Sequence, residues 1–334
     1  MDKLRIGIIG AGTIVETNHL PAITSLPLAE IAWIYDTNPA RIALVSDMYG
    51  IAGLGGRPVD EGLKEVDICF LASPYGTRKP YIEACRTLGK GLIVEKPFAF
   101  SAEEHVQHCN GFEPWKIAVI FQRRFYRQVE TLAKMIRGDY FGPLRSVRYI
   151  QGHFSLKGGS GYHSSVQLAG GGIVAENASH ILDLLLMVTS AKAVKLSGLQ
   201  SIQREGIDFE AVFDSIFETE TGTIPVHCEI SRLRNLASGL FLEFEHALVS
   251  CDLTPDGKIV VHDSRGRRAA FSLTDESRIE ELSARATMVN EAFHIFWEQF
   301  LLGVAEKKPN RTSAYQSLLT SSWIGEIYKK IHLV

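Results

Sequence analysis

Three side chains that could handle protons lie close together in AGGGIVAENASHILDLL (169–185). Glu176, His180 and Asp183 are spaced four and three residues apart, so a regular helix would place them on one face among apolar residues. Histidine titrates near neutral pH, which makes His180 a candidate general base and Glu176 a candidate partner for its imidazole. The alternative is a core helix, in which Glu176 or Asp183 simply satisfies His180.

A second candidate lies in GLIVEKPF (91–98). The apolar run predicts a strand that delivers Glu95 and Lys96 to its carboxyl end, where open α/β sheets bind ligands. A lysine there can polarise a hydroxyl or carbonyl oxygen. The competing interpretation is an ion pair at the end of a strand.

A glycine turn, GAGTIV (10–15), follows the first predicted strand and precedes a helix. Gly10 permits a tight turn, and Gly12 lets a pyrophosphate approach the amides of the helix N-terminus, at Thr13 and Ile14. Val15 stands where a third Gly or Ala is usual. The pattern predicts dinucleotide binding rather than a plain strand-to-helix turn.

An acidic residue supports this prediction. Asp36 ends the second predicted strand, where a carboxylate can bind the ribose hydroxyls of a dinucleotide. Its charge would repel a 2′-phosphate, which favours NAD as the cofactor. Arg41 lies nearby and keeps NADP as the alternative.

These stretches carry a family resemblance. GIIGAGTIV, the strand end YD, VDICFLASP, GKGLIVEKP and GGGIVAENASHILD resemble the glucose-fructose oxidoreductase / inositol dehydrogenase family, Gfo/Idh/MocA. The resemblance implies a Rossmann domain and an α/β substrate domain whose open sheet face mediates oligomers. It also implies NAD(P)-dependent hydride transfer on sugars or cyclitols.

By position, Lys96 matches the active-site lysine of that family and His180 its catalytic histidine. Glu176 stands where Asp is usual, and Ala178 where Gly is usual. The resemblance then implies that the polar stripe faces a buried cleft between domains. There His180 would take the proton of a substrate hydroxyl and Lys96 would hold its oxygen. The three glycines would let the chain turn tightly beside the cofactor.

Further site candidates are less specific. The loop SPYGTRKP (73–80) matches a family loop beside the nicotinamide, with Arg78 replacing a common His. Together with the glycine turn, the predicted cofactor-binding residues are Gly10, Gly12, Thr13, Ile14, Asp36, Ser73, Pro74, Tyr75, Glu95 and Lys96. Besides Lys96 and His180, the predicted substrate-binding residues are Arg124, Tyr162 and Asp183.

Each of these candidates has a plainer alternative. QRRFYR (122–127) could bind a phosphate or carboxylate through Arg123 or Arg124, or could be a helix start with solvated arginines. LKGGSGYH (156–163) could be a mobile flap carrying Tyr162 or His163, or a bare loop. HVQHC (105–109) is interpreted as an exposed helix face, and no metal is expected because no further ligand set accompanies it.

Bulk composition excludes several classes of protein. The 334 residues carry a net charge of −3 and contain no long basic run, so neither nucleic acid nor an anionic membrane is expected as a partner. The N-terminus lacks the anatomy of a signal peptide, and the apolar run ILDLLLMV is too short to span a bilayer. Five scattered cysteines indicate reduced thiols and a cytoplasmic protein.

The order of predicted elements gives the fold class. Strands at 3–10, 30–36, 66–73, 91–97 and 118–125 alternate with helices at 14–26, 39–50 and 80–90, which predicts a doubly wound parallel sheet. Alternating strands then follow at 142–155, 209–232 (two, around ETETGT), 238–253 and 258–273 (around RGRR), before helices at 287–304 and 314–331. They predict a large, mostly antiparallel sheet with one open face.

We expect two domains, a dinucleotide-binding domain over 1–120 and a substrate-binding and oligomerisation domain over 121–334. An apolar open sheet face predicts a homodimer or homotetramer. The predicted activity is NAD(P)-dependent oxidation or reduction of a sugar, sugar derivative or cyclitol. The alternatives are an NAD-assisted, redox-neutral glycosidase of the same superfamily and a non-catalytic dinucleotide-binding regulator.

Overall fold

A computed structural model describes residues 2–155, 161–254, 257–272 and 290–331. These residues form two compact units. The first contains the described residues within Met1–Phe98, Val106–Gln122 and Asp275–Ser317, and the second those within Ala99–His105, Arg123–Thr274 and Leu318–Val334. The domain boundary near residue 120 stays a prediction.

The first unit is built on a five-stranded parallel sheet. In chain order its strands are β1 (Leu4–Ile9), β2 (Ala29–Tyr35), β3 (Ile68–Leu71), β4 (Gly91–Val94) and β5 (Ile117–Val119). They lie in the order β2-β1-β3-β4-β5, and every residue of β3, β4 and β5 is buried. Burial on both faces explains why these strands are continuous apolar runs. The parallel sheet is therefore confirmed.

From β1 the chain adds β2 on one side, and β3, β4 and β5 then follow on the other side. The strand order therefore reverses between β1 and β3, and ligands bind at this point in folds of this type. The helices that lie in this unit are α1 (Leu20–Thr24), α2 (Pro39–Tyr49), α3 (Val59–Lys64), α4 (Lys79–Thr87) and α9 (Glu291–Glu306). A π-helical turn, Val15–His19, leads into α1. α2 ends at Gly50 with φ +66°, as the sequence predicts. Helix α5 (Ala102–Cys109) contains residues of both units.

The second unit is built on an eight-stranded sheet. Its strands are β6 (Leu144–Gly152), β7 (Ala193–Arg204), β8 (Ile207–Thr219), β9 (Gly222–Ser231), β10 (Gly239–Phe244), β11 (Ala247–Cys251), β12 (Lys258–Asp263) and β13 (Arg268–Ser272). They lie in the order β13-β12-β11-β10-β6-β9-β8-β7, and all neighbours are antiparallel except β6 and β9. The large, mostly antiparallel sheet is confirmed.

Helices of this unit are α6 (Arg127–Arg137), α7 (Val166–Ala169), α8 (Ser179–Thr189) and α10 (Leu318–Ile331). Helix α8 packs against α6 and α10, and α10 packs against β7. All residues of α8 except Met187 are buried, which accounts for its apolar character on every side. By length and composition alone, the helical stretch 166–189 could cross a membrane, but 83% of its apolar window is buried, as in the core helix of a globular protein.

The structure corrects several sequence predictions. The stretch 238–253 forms two strands, β10 and β11, and the strand β7 was missed. His105 and His108 are buried, not on an exposed helix face, and His105 Nδ1 lies 2.8 Å from Ser321 Oγ. The predicted helix 314–331 begins with a 3₁₀ turn, Ala314–Ser317, and α10 itself starts at Leu318. The starts of the predicted helix 287–304 and flap 156–163 lie outside the described residues.

All five cysteines are free and buried: Cys69, Cys85, Cys109, Cys228 and Cys251. Burial raises the pKa of the Cys109 and Cys251 thiols to about 12. Thiols of this kind are poor nucleophiles, because the thiolate is the reactive form.

Candidate active site

The first glycine turn follows β1 and leaves space beside the chain. Gly10 has φ +107°, and a Cβ there would lie 2.8 Å from the backbone of Ala72, so this position requires glycine. A Cβ on Gly12 would meet no described atom within 4 Å. The amides of Val15 and Glu16 both donate to the Gly12 carbonyl, which begins the helix. The turn therefore combines free volume with the amides of a helix N-terminus, the combination that suits a phosphate.

The acidic end of β2 lies against this turn. Asp36 Oδ2 accepts a hydrogen bond from the Ala11 amide at 2.7 Å, and Oδ1 accepts one from the Asn38 amide at 2.8 Å. Arg41 Nε donates to the Ala11 carbonyl at 2.8 Å, and its Nη2 donates to Glu16 Oε2 at 2.6 Å. The carboxylate is thus held in place beside the glycine turn, while the nearby guanidinium already has an anionic partner.

Arg78 joins the loops that follow β3 and β4. It is buried, and its Nε donates to the Ser73 carbonyl at 2.9 Å. Its Nη1 donates to the carbonyls of Glu95 and Pro97 at 2.5 and 2.6 Å. These two carbonyls flank Lys96, so Arg78 holds the backbone on both sides of the lysine. The family resemblance identifies Arg78 only as the residue that replaces a common His, and it does not predict these hydrogen bonds.

The carboxylate of Glu95 points away from solvent into a hydrogen-bond network. Its Oε1 lies 2.9 Å from His19 Nε2, its Oε2 accepts from the Lys96 amide at 3.1 Å, and Trp297 Nε1 donates to His19 Nδ1 at 3.0 Å. Burial raises the pKa of Glu95, but the hydrogen bond from His19 and nearby positive charges outweigh burial and bring it below its usual range. Lys96 is half-buried. Sequence analysis missed His19 and Trp297, whose partners lie 76 and 278 residues away along the chain.

The second glycine turn, Gly170–Gly172, is filled by the protein itself. Gly170 has φ +78°, but a Cβ on Gly171 would lie 2.1 Å from Tyr328 Oη, and one on Gly172 would lie 2.0 Å from the Asp208 carbonyl oxygen. The last two glycines are therefore required by close packing. The family resemblance instead implies that all three glycines let the chain turn tightly beside a cofactor.

Asp208 and Tyr328 also bind the amides that begin the following helix. The Asp208 carboxylate accepts from Gly172 and Val174 at 2.6 and 2.8 Å, and Tyr328 donates its hydroxyl proton to it at 2.9 Å. The Tyr328 oxygen in turn accepts from the amides of Gly172 and Ala175. Burial and the neighbouring carboxylate raise the pKa of Tyr328, so this phenol stays protonated. Neither residue was among the sequence candidates.

Glu176 lies in a π-helical turn, Val174–Ala178, directly before α8. Its carboxylate pairs with the Arg232 guanidinium and lies 3.2 Å from His163 Nδ1. Burial raises the pKa of Glu176, but His163 and Arg232 together lower it to about 2. Glu176 is therefore ionised throughout the neutral range and does not carry a proton there. Sequence analysis did not identify Arg232, which lies 56 residues away along the chain, directly after β9.

The third member of the predicted stripe has different partners. Asp183 receives a two-pronged ion pair from Arg124, with Nε–Oδ2 at 2.6 Å, and Thr320 Oγ1 donates to it at 3.1 Å. Arg124 and Asp183 are both buried. The solvated-arginine alternative is therefore wrong for Arg124, and the structure pairs these two predicted substrate-binding residues with each other.

His180 belongs to the same helix and is 8% exposed. The stripe is therefore not a single cluster, because the carboxylates on either side of His180 are bound by arginines from different segments. Glu176 is bound by Arg232, directly after β9, and Asp183 by Arg124, in the segment before α6. A π-helical turn also advances the chain by a smaller angle per residue than an α-helix, so the regular wheel used for the sequence does not hold across Glu176.

Tyr162 is 45% exposed and its ring lies 3.9 Å from that of His163, the residue that contacts Glu176. The pair thus presents an aromatic surface beside the charged cluster. Among the described residues, no group of three or more His, Cys, Asp or Glu side chains could hold a metal ion.

These observations define a class of protein. A five-stranded parallel sheet, with a glycine turn after its first strand and a fixed carboxylate after its second, is the fold of dinucleotide-binding proteins. The family profile described as "Oxidoreductase family, NAD-binding Rossmann fold" matches residues 4–114, and the "GFO/IDH/MocA C-terminal domain" matches residues 129–245. The chain belongs to the GFO/IDH/MocA oxidoreductase family.

Two relatives and one solved structure illustrate the similarity. The chain is 23% identical over 239 residues to the D-glucoside 3-dehydrogenase of Escherichia coli (strain K12), covering 67% of each chain. It is 26% identical over 229 residues to the inositol 2-dehydrogenase of Rhodococcus erythropolis, covering 66% of this chain and 63% of that one. The matches thus span about two thirds or less of these relatives' length. A 3-ketoreductase from Actinomadura kijaniata in complex with NADP and TDP-benzene has the same fold, with TM-score 0.81, 15% identity and 98% of each chain covered.

Proposed function

We propose that this chain transfers a hydride between a nicotinamide dinucleotide and a CH–OH or C=O carbon of a sugar, sugar derivative or cyclitol. The observation that carries the proposal is the carboxyl edge of the first sheet, where the glycine turn, Asp36 and Lys96 follow β1, β2 and β4. Family membership supports a redox reaction, and the relatives named for a glucoside and an inositol support a polyhydroxylated substrate.

The described residues fit such a cofactor. Gly12 leaves the volume that a pyrophosphate needs, with the amides of Thr13 and Ile14 at the helix N-terminus as donors, and Gly10 forms the turn. Asp36 would bind the ribose hydroxyls, and the loop Ser73–Pro74–Tyr75 with Glu95 and Lys96 would line the nicotinamide end. When bound, the nicotinamide supplies a hydride acceptor or donor.

The cofactor that we propose is NAD. Asp36 would repel a 2′-phosphate, and Arg41, the cation nearest to that position in sequence, is already paired with Glu16 at 2.6 Å. Binding NADP would require this ion pair to rearrange.

We assign the proton chemistry to Lys96 and His180. In the oxidising direction the Lys96 ammonium group holds the substrate oxygen, the hydroxyl proton moves to the His180 imidazole, and the carbon gives up its hydride. Glu176 remains ionised, and its negative charge balances the positive charge of Arg232 beside the proposed substrate site. Tyr162 offers a ring face against which a sugar can pack.

Turnover over a panel of glucosides and cyclitols with NAD and with NADP, followed by nicotinamide absorbance, tests this function. Lys96→Ala and His180→Ala should each lower kcat by about 10²–10⁴-fold, the range for a lost acid–base group. Thermal melts of the variants serve as the folding control. Wild-type kcat in both variants would refute the assignment. Glycoside cleavage without net NADH would identify a redox-neutral glycosidase instead, and cofactor binding without any turnover would identify a regulator.

We also propose that the chain self-associates through the outer face of the second sheet. Half-exposed apolar side chains lie at outward positions of two of its strands, Ile150 on β6 and Val212 and Ile216 on β8. Phe241 lies on the same face with Arg148 stacked 4.9 Å above its ring. Light scattering at micromolar concentration should give the mass of a dimer or tetramer, whereas a monomeric mass would contradict the proposal.

A further inference from the structure

His19 is a fully buried titratable residue that the reaction above does not use. It lies in the π-helical turn after the glycine turn, with ring centroids 4.5 Å from Phe70 and 4.7 Å from Phe293. Its two ring nitrogens contact polar groups, Glu95 through Nε2 and Trp297 through Nδ1. Because the imidazole is fully buried beside aromatic rings, these two hydrogen bonds take the place of contact with solvent.

The contact with Trp297 fixes the tautomer of His19. An indole N–H only donates, so His19 Nδ1 must accept and therefore carries no proton. The ring proton is then on Nε2, which donates to Glu95 Oε1 at 2.9 Å. In this state His19 is neutral, and it stabilises the Glu95 carboxylate without cancelling its charge.

Glu95 depends on this donor to remain ionised. A carboxylate in a buried site takes up a proton unless hydrogen bonds or positive charges favour its ionised form. Besides His19, Glu95 has the Lys96 amide at 3.1 Å, and the neighbouring charged groups are Lys96 and Arg78, whose guanidinium binds the backbone carbonyl of Glu95. The attraction is mutual, so an ionised Glu95 favours the ammonium form of the adjacent Lys96.

We propose that His19, held in one tautomer by Trp297, is a positioning residue that keeps Glu95 ionised and thereby keeps Lys96 as an ammonium ion. The hydrogen bonds run from Trp297 through His19 to Glu95 and from there to the backbone amide of Lys96, and the charge of Glu95 acts on the Lys96 ammonium group through electrostatic attraction. It makes Lys96 a hydrogen-bond donor to the substrate oxygen, and it leaves His180 as the group that takes the proton. Only this last step rests on the proposed function.

The protonation of Lys96 can be followed without any substrate. Competitive acetylation with acetic anhydride as a function of pH, followed by peptide mass spectrometry, gives the titration midpoint of this one amine. Glu95→Gln should lower the midpoint by about one pH unit, the smaller end of the effect of an adjacent opposite charge, and so raise labelling near neutral pH about tenfold. His19→Leu should shift it in the same direction, because the carboxylate loses its donor.

Two further variants separate this effect from packing. His19→Gln retains both a donor and an acceptor and should restore most of the wild-type midpoint. His294→Leu removes another histidine of the first unit, whose Nδ1 lies 2.9 Å from Ser25 Oγ, and should leave the midpoint unchanged. Should His19→Leu not fold, Glu95→Gln and His19→Gln decide the matter.

A wild-type Lys96 midpoint in folded Glu95→Gln, or in folded His19→Leu, would overturn the inference. Its failure is distinguishable from failure of the proposed function. Shifted midpoints with unchanged turnover in Lys96→Ala would leave the network standing and remove the catalytic role. Unshifted midpoints with inactive Lys96→Ala would do the reverse.

Discussion

The two glycine turns of this chain begin alike and end differently. Each leads into a π-helical turn, Val15–His19 in the first unit and Val174–Ala178 in the second. A Cβ on Gly12 would meet open space, whereas one on Gly172 would lie 2.0 Å from a backbone oxygen. Glycines before a helix therefore serve two purposes in one molecule. The first turn leaves room beside the chain, and the second lets other parts of the protein come close.

The difference is also one of hydrogen bonds. In the second turn, Asp208 and Tyr328 accept from the amides of Gly172, Val174 and Ala175, so the protein supplies its own acceptors. In the first turn, Asp36 accepts from Ala11 and no described side chain covers Gly12. The first four backbone amides of an α-helix have no acceptor within the helix and need one from outside it. The first turn has room for a phosphate group, whereas in the second turn the Asp208 carboxylate already accepts hydrogen bonds from the amides.

The largest effect should come from Gly172→Ala. The added methyl group would collide with the Asp208 backbone, which cannot move without breaking the capping hydrogen bonds, so we expect a loss of about 3 kcal/mol or more in the free energy of unfolding. Thermal or urea unfolding measures this loss. Gly12→Ala is the matched control and should unfold at the wild-type midpoint; equal losses in both variants would remove the contrast between the turns.

The same Gly12→Ala variant should lose cofactor affinity. It stays folded, but its methyl group occupies the volume that we assign to the pyrophosphate, and we expect about tenfold weaker NAD binding, the equivalent of about 1.4 kcal/mol. Isothermal titration calorimetry with NAD gives the affinity directly. Wild-type affinity in this variant would show that the open volume is not a phosphate site.

Cofactor preference should change in Asp36→Ser. The substitution removes the ribose contact and the repulsion of a 2′-phosphate together, so the ratio of NAD to NADP affinities should fall by about tenfold, a difference of about 1.4 kcal/mol. Calorimetry with both cofactors measures the ratio. Equal affinities of the wild-type chain for NAD and NADP would refute the preference itself.

The smallest effect concerns the charge of Glu176, in the π-helical turn before α8. Because the pKa of Glu176 is lowered to about 2, its ion pairs stabilise the fold above the ordinary range of a carboxyl group, and this contribution is lost as the pH falls towards about 2. The side chain is 37% exposed, so solvent screening limits the contribution to about 1 kcal/mol or less. Urea unfolding of Glu176→Gln and wild type should differ at neutral pH and converge in acid; a constant gap would contradict the low pKa.

The sequence predicts the first unit better than the second for a physical reason. Strands buried on both faces are short apolar runs between turn residues, and β3 and β4 are of this kind. β7 was missed because its register shifts between Leu196 and Gly198 and again between Ile202 and Gln203, which interrupts the two-residue alternation. Local patterns also placed Gly10, Gly12 and Asp36 correctly beside one another.

Long-range partners were beyond such patterns. The role of Gly172 depends on Asp208 and Tyr328, and the charge state of Glu176 depends on Arg232, none of which lies near in sequence. A helical wheel places Glu176 and Asp183 on one face, whereas in the structure each carboxylate pairs with a different arginine. Residue type thus indicated which side chains could do chemistry, and packing decided which of them were already engaged.

The buried cysteines give each unit its own internal reporter. Cys69, Cys85 and Cys109 lie in the first unit, and Cys228 and Cys251 lie in the second. Since a thiol shielded from solvent reacts with an alkylating reagent only when the surrounding structure opens, the rate of modification at each position records how often that part of the chain opens. Pulsed alkylation and peptide mass spectrometry would then show, from the unmodified wild-type sequence, whether the two units unfold together or one before the other.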